Sequence, residues 1–181
     1  GMLWTYAKTG NHELLELAVE AYETGKYELM PSVLEKGDPI VIHGVTFCEM
    51  HKLPALLYAY TGEQRYLELA GMAEDNLVGN NMLPDGVPTS AEWVKGHDVM
   101  AAHETCNVSD FTWGQGYHLM ADGKGYHADM IERAVFNAGP GAVTKDFKAL
   151  QYFSCVNQFN VTGESDHNEY RKGLTWMAYR P

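Results

Sequence analysis

A short run, His103-Glu104-Thr105-Cys106, brings together residue types that bind metal ions. Carboxylate and thiolate are both zinc ligands, but residues two apart do not share a helix face. Glu104 and Cys106 therefore reach one ion only where the segment is extended or enters a helix, and the helix predicted to run to Met120 offers that entrance. Two ligands do not complete a tetrahedral site, so a capping glutamate beside a buried cysteine remains the alternative.

A second candidate is Glu92, which precedes Trp93 in a loop rich in Pro, Gly and Asp between Leu83 and Gly96. An indole beside a carboxyl group removes water from it and favours the protonated form, as a general acid needs near neutral pH. A solvated loop glutamate is the alternative interpretation.

Common nucleotide-binding and serine-hydrolase motifs are missing from the sequence, which contains no Gly-Lys-Ser/Thr phosphate loop, no Gly-x-Gly-x-x-Gly and no Gly-x-Ser-x-Gly. The chain has eight histidines and is rich in tyrosine. His43, His51, His97 and His103 lie in or beside predicted loops and helix starts. Carboxylates, imidazoles, thiols and aromatic rings favour glycoside chemistry or a sugar-binding surface.

Composition limits the class of protein and its partners. A chain of 181 residues that is 45% hydrophobic can bury one continuous core. Its net charge of −11 disfavours nucleic acid and anionic membranes as partners. No stretch approaches a membrane span or a signal peptide, so we expect a soluble chain and leave its compartment open. Three widely spaced cysteines do not form a disulfide framework.

Apolar residues at helical spacing predict several helices that could position these side chains. One helix starts near Asn11, and a second, kinked by Pro54, runs from Thr46 to Tyr60. The remaining helices are expected over residues 63–81, 101–120 and 126–138, and a short β element is expected near residues 149–156, chiefly Gln151–Val156.

Three helix ends share one pattern, in which a glycine closes the helix and a tyrosine begins the next element. The glycines are Gly25, Gly62 and Gly123. Because a glycine in the left-handed conformation ends a helix sharply, the pattern predicts antiparallel helical hairpins. The fold class is therefore mainly α, and the irregular repeat favours a barrel of paired helices over a solenoid.

The order of motifs resembles the zinc-dependent β-L-arabinofuranosidases of glycoside hydrolase family 127 (GH127). The resemblance rests on Glu104-Thr105-Cys106, then Glu132-Arg133-Ala134-Val135-Phe136-Asn137, then an aromatic strand, with His43 to Thr46 upstream. It implies that residues 1–181 form one partial (α/α)6 barrel domain. Val45 stands where the family has Asn.

The resemblance also implies roles for individual residues. Glu92 matches the acid/base carboxylate, and Glu104 and Cys106 match two zinc ligands. The residues expected to bind the furanose are His43, Glu132 and Tyr152. The implied reaction is retaining hydrolysis of a furanoside in a glycan, with a zinc-held cysteine as nucleophile.

In the family, an adjacent cysteine pair follows a segment like Gly173–Pro181, and the printed sequence ends before that pair. Cys155 matches neither member of it. We therefore expect an incomplete catalytic domain that is inactive alone, binds zinc weakly or not at all, and forms a homo-oligomer. The alternative is a non-catalytic helical-repeat or carbohydrate-binding module on the same scaffold.

Overall fold

The computed structural model describes residues 1–26, 29–90, 92–94, 96–98, 101–148 and 150–157, and the backbone of residues 178–179. It is mainly helical with small antiparallel strand pairs, as predicted. The α-helices are α1 (Met2–Thr9), α2 (His12–Thr24), α3 (Pro31–Leu34), α4 (Gly44–Met50), α5 (Leu53–Thr61), α6 (Gln64–Asn81), α7 (Thr105–Asp122), α8 (Gly125–Arg133) and α9 (Gly139–Gly141). A π-helix, Ala134–Ala138, joins α8 to α9, and the strands are β1 (His103–Glu104), β2 (Leu150–Gln151), β3 (Phe153–Ser154) and β4 (Ala178–Tyr179).

The first two helices pack on each other. Gly10 ends α1 in the left-handed region with a φ of 70°. Asn11 then caps α2, because its side chain accepts a hydrogen bond of 3.1 Å from the amide of Glu13. The helix predicted from Asn11 is confirmed, whereas the sequence pattern did not predict α1.

The predicted helix over residues 46–60 is two helices in the structure. The break falls at His51 and Lys52, between α4 and α5. Pro54 lies in the first turn of α5, where its missing N–H leaves no intrahelical hydrogen bond unmade. Pro54 therefore starts a helix here and does not kink one, which corrects the prediction.

Two of the three predicted glycine turns are confirmed. Gly62 and Gly123 have φ values of 72° and 71°, and they reverse the chain between α5 and α6 and between α7 and α8. The prediction for Gly25 is wrong, because this residue is extended, with φ −60° and ψ 152°. Tyr27, expected to start the next element, lies outside the described residues.

The helix predicted from residue 101 begins four residues later, because His103 and Glu104 form β1. This strand pairs with β3 in antiparallel register, Glu104 opposite Phe153. The predicted β element is confirmed as β2 and β3, and β2 pairs with β4. Ala149, at the predicted edge of that element, is not among the described residues.

A single large apolar core holds the helices together. Phe47 of α4 and Phe111 of α7 are fully buried in it, and these two helices pack side by side. Burying one such side chain stabilises the fold by about 1.5–3 kcal/mol. Because their N-terminal ends meet, α4 and α7 carry His43 and Glu104 to the same place. None of the helices in the described ranges combines the length and the apolar character that crossing a membrane requires.

Candidate active site

Three chain segments meet at the N-terminal ends of α4 and α7. His43 precedes α4, Glu104 precedes α7, and Glu92 lies in the short described segment 92–94. The segment is attached by backbone hydrogen bonds from the Gly44 amide to the Glu92 carbonyl, at 2.8 Å, and from the Val94 amide to the Ile42 carbonyl, at 3.1 Å. These bonds fix the loop beside the start of α4.

His43 stands between the two carboxylates. Its Nε2 lies 3.4 Å from Glu92 Oε2 and 3.5 Å from Glu104 Oε1. The backbone amide of Thr46 points at His43 Nδ1 from 3.4 Å, which makes Nδ1 an acceptor. The ring proton of the neutral imidazole therefore sits on Nε2, facing both carboxylates.

Glu92 has a strained backbone. Its φ is 70°, in the left-handed region that residues with a β-carbon rarely adopt. Strain of this kind persists only where surrounding contacts enforce it, and it clusters at functional sites. Here the two backbone hydrogen bonds to residues 42 and 44 enforce it and turn the half-buried carboxylate toward His43.

The strain predicts an unusual ranking of two substitutions. The free energy of unfolding of Glu92→Gly should exceed that of Glu92→Ala by about 1 kcal/mol. Glycine adopts a positive φ without the cost that a β-carbon brings. Urea denaturation measures both. At Glu20, inside α2, the order should reverse, since glycine is the worse helix former there. Equal stabilities at position 92 would contradict the strained conformation.

Gly44 allows the loop to approach α4 closely. A β-carbon at this position would overlap the Oγ and Cβ atoms of Ser90, which is fully buried. The sequence analysis missed this pair, because no local pattern shows which residue a distant loop brings against a glycine.

Glu104 is buried and shares its surroundings with Tyr152 and Cys106. The Tyr152 hydroxyl donates to Glu104 Oε2 at 3.1 Å, and the Cys106 thiol donates to the Tyr152 oxygen at 3.5 Å. Thr105 ties the helix start to the β3 segment through its amide, which donates to the Tyr152 carbonyl at 2.9 Å. The Glu104 side chain does not cap α7, so the capping alternative is excluded.

Burial dominates the electrostatics of this corner. Burial raises the pKa of Glu104, the nearby Glu92 carboxylate acts in the same direction, and the Tyr152 hydroxyl opposes both. Burial also raises the pKa of the Cys106 thiol and of the Tyr152 hydroxyl. A cation placed here would reverse this preference for neutral forms.

The side chains gathered here are of types that bind metal ions. Glu104 Oε1 is buried, and no hydrogen bond from the described residues reaches it. Glu104 and Cys106 both contact the Tyr152 hydroxyl, so a carboxylate and a thiol lie on the same side of the α7 start, as the extended helix entrance requires. His43, Glu92 and Glu104 also offer ligand atoms within 4.8 Å of one another. Carboxylate, imidazole and thiol groups are all acceptable metal ligands, so this cluster is compatible with a metal ion.

The structure also gives the positions of the other residues singled out from the sequence. Glu132 is exposed on α8, and none of its contacts in the described part of the chain reaches His43, Glu92 or Glu104. Cys48 and Cys155 are buried. Trp93 is half exposed and pairs its backbone with His43.

Two of the histidines singled out from the sequence have structural partners. His103 Nε2 lies 2.6 Å from Asp85 Oδ2, and the side chain is buried. His97 is exposed, and its ring nitrogens contact the carbonyls of Met82 and Gly79 at 3.0 and 2.8 Å. These contacts raise the pKa of His97 and fasten its loop to the end of α6.

A second polar cluster lies at the other end of α4 and was missed by the sequence analysis. His51, Glu74 and His118 are all buried, with ligand atoms within 4.8 Å of one another. Burial raises the pKa of Glu74 to about 7 and lowers the pKa of His118 to about 4. One signal was available: Gly114, Gln115 and His118 place small and polar residues on the buried face of α7.

Comparison with known proteins identifies the family. Residues 1–177 match the model of the β-L-arabinofuranosidase GH127 catalytic domain. The helical fold thus belongs to a glycoside hydrolase class of protein. The chain is a member of the GH127 catalytic-domain family. None of the curated proteins compared with the chain matches it.

Solved structures share the fold. A GH127 β-arabinofuranosidase is 20% identical with a TM-score of 0.68, over 86% of this chain and 27% of its own. The GH127 β-L-arabinofuranosidase of Geobacillus stearothermophilus T6 is also 20% identical with a TM-score of 0.68, over 86% of this chain and 30% of its own. The chain thus spans less than a third of the length of these two relatives.

A sugar epimerase from a ruminal bacterium shares the same fold, at 19% identity and a TM-score of 0.64, over 90% of this chain and 48% of its own. The fold alone therefore does not determine the reaction, and the site must decide it.

Proposed function

We propose that this chain supplies the acid/base carboxylate and part of the metal site of a retaining glycoside hydrolase that acts on β-L-arabinofuranosides. The observation that supports it best is the convergence of His43, Glu92 and Glu104, with Tyr152 and Cys106 against Glu104, in a member of the GH127 family. Membership of this family supports a furanoside-containing glycan as the substrate class.

Glu92 is the proposed acid/base. Its carboxylate is about one quarter exposed, so it can meet both a sugar and water, whereas Glu104 is almost fully buried. The imidazole of His43 contacts both carboxylates and lies between them. The two carboxylates can therefore have different roles. In the proposed reaction Glu92 gives a proton to the leaving oxygen and later takes one from water.

The nucleophile in this proposal is a cysteine thiolate from the family's adjacent pair. Its sulfur attacks the anomeric carbon as the bond from that carbon to the leaving oxygen breaks. Water, deprotonated by Glu92, then attacks the same carbon and releases the sulfur. Cys48 and Cys155 are not proposed for this role, because both are buried. His43, Tyr152 and Glu132 are proposed to hold the furanose hydroxyls.

Glu104 and Cys106 are the residues that would hold zinc. When bound, zinc keeps cysteine sulfur deprotonated and therefore nucleophilic.

We expect this pair alone to bind zinc weakly, because each missing ligand removes a strong bond to the ion. Cobalt(II), used as a probe, should give a thiolate-to-cobalt absorption band that a mild chelator removes on dialysis. Cys106→Ser should remove the band before dialysis. A band that survives the chelator would show a complete site and contradict this expectation.

Hydrolysis of an activated aryl β-L-arabinofuranoside tests the proposed function. The chain of 181 residues should show no turnover, and a chain continued through the family's adjacent cysteine pair should hydrolyse the substrate. Turnover by the 181 residues alone would refute the assigned nucleophile. A continued chain that binds the sugar without turnover would favour the carbohydrate-binding alternative.

We also propose that this chain self-associates. A groove of about 670 Å³ lies between α1, α2, α5 and α7, and exposed Trp4, Trp113 and Met120 line it. Exposed apolar surface of this kind favours a second copy as its partner. Sedimentation at micromolar concentration should show a dimer or larger species, which Trp4→Ser weakens and Phe147→Ser, outside the groove, does not. A monomer under these conditions would contradict the proposal.

A further inference from the structure

We infer that His51, Glu74 and His118 form a second metal site, which takes zinc or a similar divalent cation with nitrogen and oxygen ligands. The site lies at the C-terminal end of α4, whereas His43 lies at the N-terminal end, and the seven residues of α4 span roughly 10 Å. It is distinct from the candidate active site and shares no residue with it.

His51 presents a free lone pair inside the protein. Its Nδ1 lies 2.8 Å from the Cys48 carbonyl, which accepts the ring proton and leaves Nε2 as an acceptor. Nε2 is buried and has no hydrogen-bond partner among the described residues. A buried polar atom without a partner costs about 1–3 kcal/mol, so this arrangement calls for a bound group.

The lone pair of His51 Nε2 faces a carboxylate oxygen of Glu74, which is also an acceptor. Glu74 Oε2 lies 3.8 Å from His51 Nε2, too far for a hydrogen bond. When the carboxyl group is ionised, these two acceptors repel each other across the gap, and a cation between them would remove that repulsion. Tetrahedral zinc separates neighbouring nitrogen and oxygen ligands by about 3.3 Å, so a small contraction would make both atoms ligands.

The Glu74 carboxylate is held in place by its neighbours. The Gln115 amide donates to both of its oxygens, at 2.8 and 2.7 Å. Gln115 Oε1 in turn contacts His127 Nδ1 at 2.7 Å, which fixes the orientation of the amide. Partners of this kind, which orient the ligands and do not touch the ion, are typical of metal sites.

His118 is oriented in the same way. Its Nε2 lies 3.1 Å from the His51 carbonyl, which accepts the ring proton and leaves Nδ1 as the nitrogen that could ligate. The His118 and His51 rings stack with centroids 5.0 Å apart. Gly114 makes room for the His51 ring against α7, because a β-carbon there would overlap it.

A cavity reaches two members of the cluster. It has a volume of about 210 Å³ and is lined by Glu74 and His118 together with Asp75, Asp122 and His127. The two aspartates bring negative charge to this cavity, and Lys124, which also lines it, pairs with Asp122 at 2.8 Å. Three protein ligands with one open side are the arrangement in which zinc retains a water molecule or binds a further ligand.

Zinc titration of the full chain carrying Glu104→Gln and Cys106→Ser tests the proposal, since these changes remove the ligands of the other site. This background protein should bind one equivalent of zinc in competition with a chromogenic chelator. Adding Glu74→Gln or His118→Gln should weaken zinc binding by at least 10–100-fold. Asp75→Asn, which removes a charge from the same cavity without removing a ligand, should change affinity by less than threefold.

Cobalt(II) provides a readout that needs no substitution in the cluster. The background protein should give the visible bands of a nitrogen and oxygen site with no thiolate-to-cobalt band. Circular dichroism without metal confirms that each variant is folded. No bound equivalent in the background protein, unchanged affinity in Glu74→Gln, or an equal loss in Asp75→Asn would each overturn the proposal.

Discussion

Glu92→Gln should slow hydrolysis of an unactivated β-L-arabinofuranoside by about 10²–10⁴-fold, the usual contribution of a general acid, in a chain continued through the family's cysteine pair. An aryl glycoside with a good leaving group should be slowed far less in its first step. The difference arises because only a poor leaving group needs its departing oxygen protonated. Values of kcat/KM for the two substrates, which report the first step, measure the effect.

Glu132→Gln is the matched control for this experiment. Glu132 is proposed to bind the sugar and not to transfer protons, so its loss should raise KM for both substrates by a similar factor. If Glu92→Gln slows both substrates equally, Glu92 is not the general acid. His97 and His103 are then the next residues to test, although carbonyls hold the first and Asp85 holds the second.

Gly44→Ala should lower the free energy of unfolding by about 1–3 kcal/mol, because the added β-carbon overlaps the side chain of Ser90. The same change should reduce activity in the continued chain. The amide of Gly44 donates a hydrogen bond to the Glu92 carbonyl. A shift of this loop therefore moves the Glu92 carboxylate away from His43. Chemical denaturation and hydrolysis rates measure the two effects.

A second substitution distinguishes this overlap from a general loss of stability. Ser90→Gly removes both overlapping atoms, so it should restore most of the stability of Gly44→Ala. Gly71→Ala serves as the control, because open space surrounds that glycine within α6 and alanine favours the helix there. Failure of Ser90→Gly to restore stability would contradict the close approach.

Local patterns predicted the fold where local chemistry decides it. Gly62 and Gly123 end helices in the left-handed conformation, as their sequence surroundings indicate. Gly25 has similar surroundings but is extended, so similar local sequence does not guarantee the left-handed conformation. The predicted start of α7 failed because His103 and Glu104 pair with a strand about fifty residues later, which a local pattern does not show.

In the candidate site, too, the sequence predicted some features, whereas others depend on tertiary structure. The motif order brought Glu104, Cys106 and Tyr152 into one prediction, and the structure places them in contact. The positive φ of Glu92 depends on hydrogen bonds to residues 42 and 44, so it follows from tertiary structure alone. His51, Glu74 and His118 lie on different elements, and their meeting depends on how those elements pack.

Azide rescue of Glu92→Ala, in a chain continued through the cysteine pair, tests the role of Glu92 most directly. With an activated β-L-arabinofuranoside the variant should accumulate the glycosyl intermediate, because no base remains to deprotonate water. Azide needs no base, so it should restore turnover and release the β-configured glycosyl azide, identified by proton NMR. An α-configured azide would mean that Glu92 is the nucleophile, and the account given for this site would be wrong.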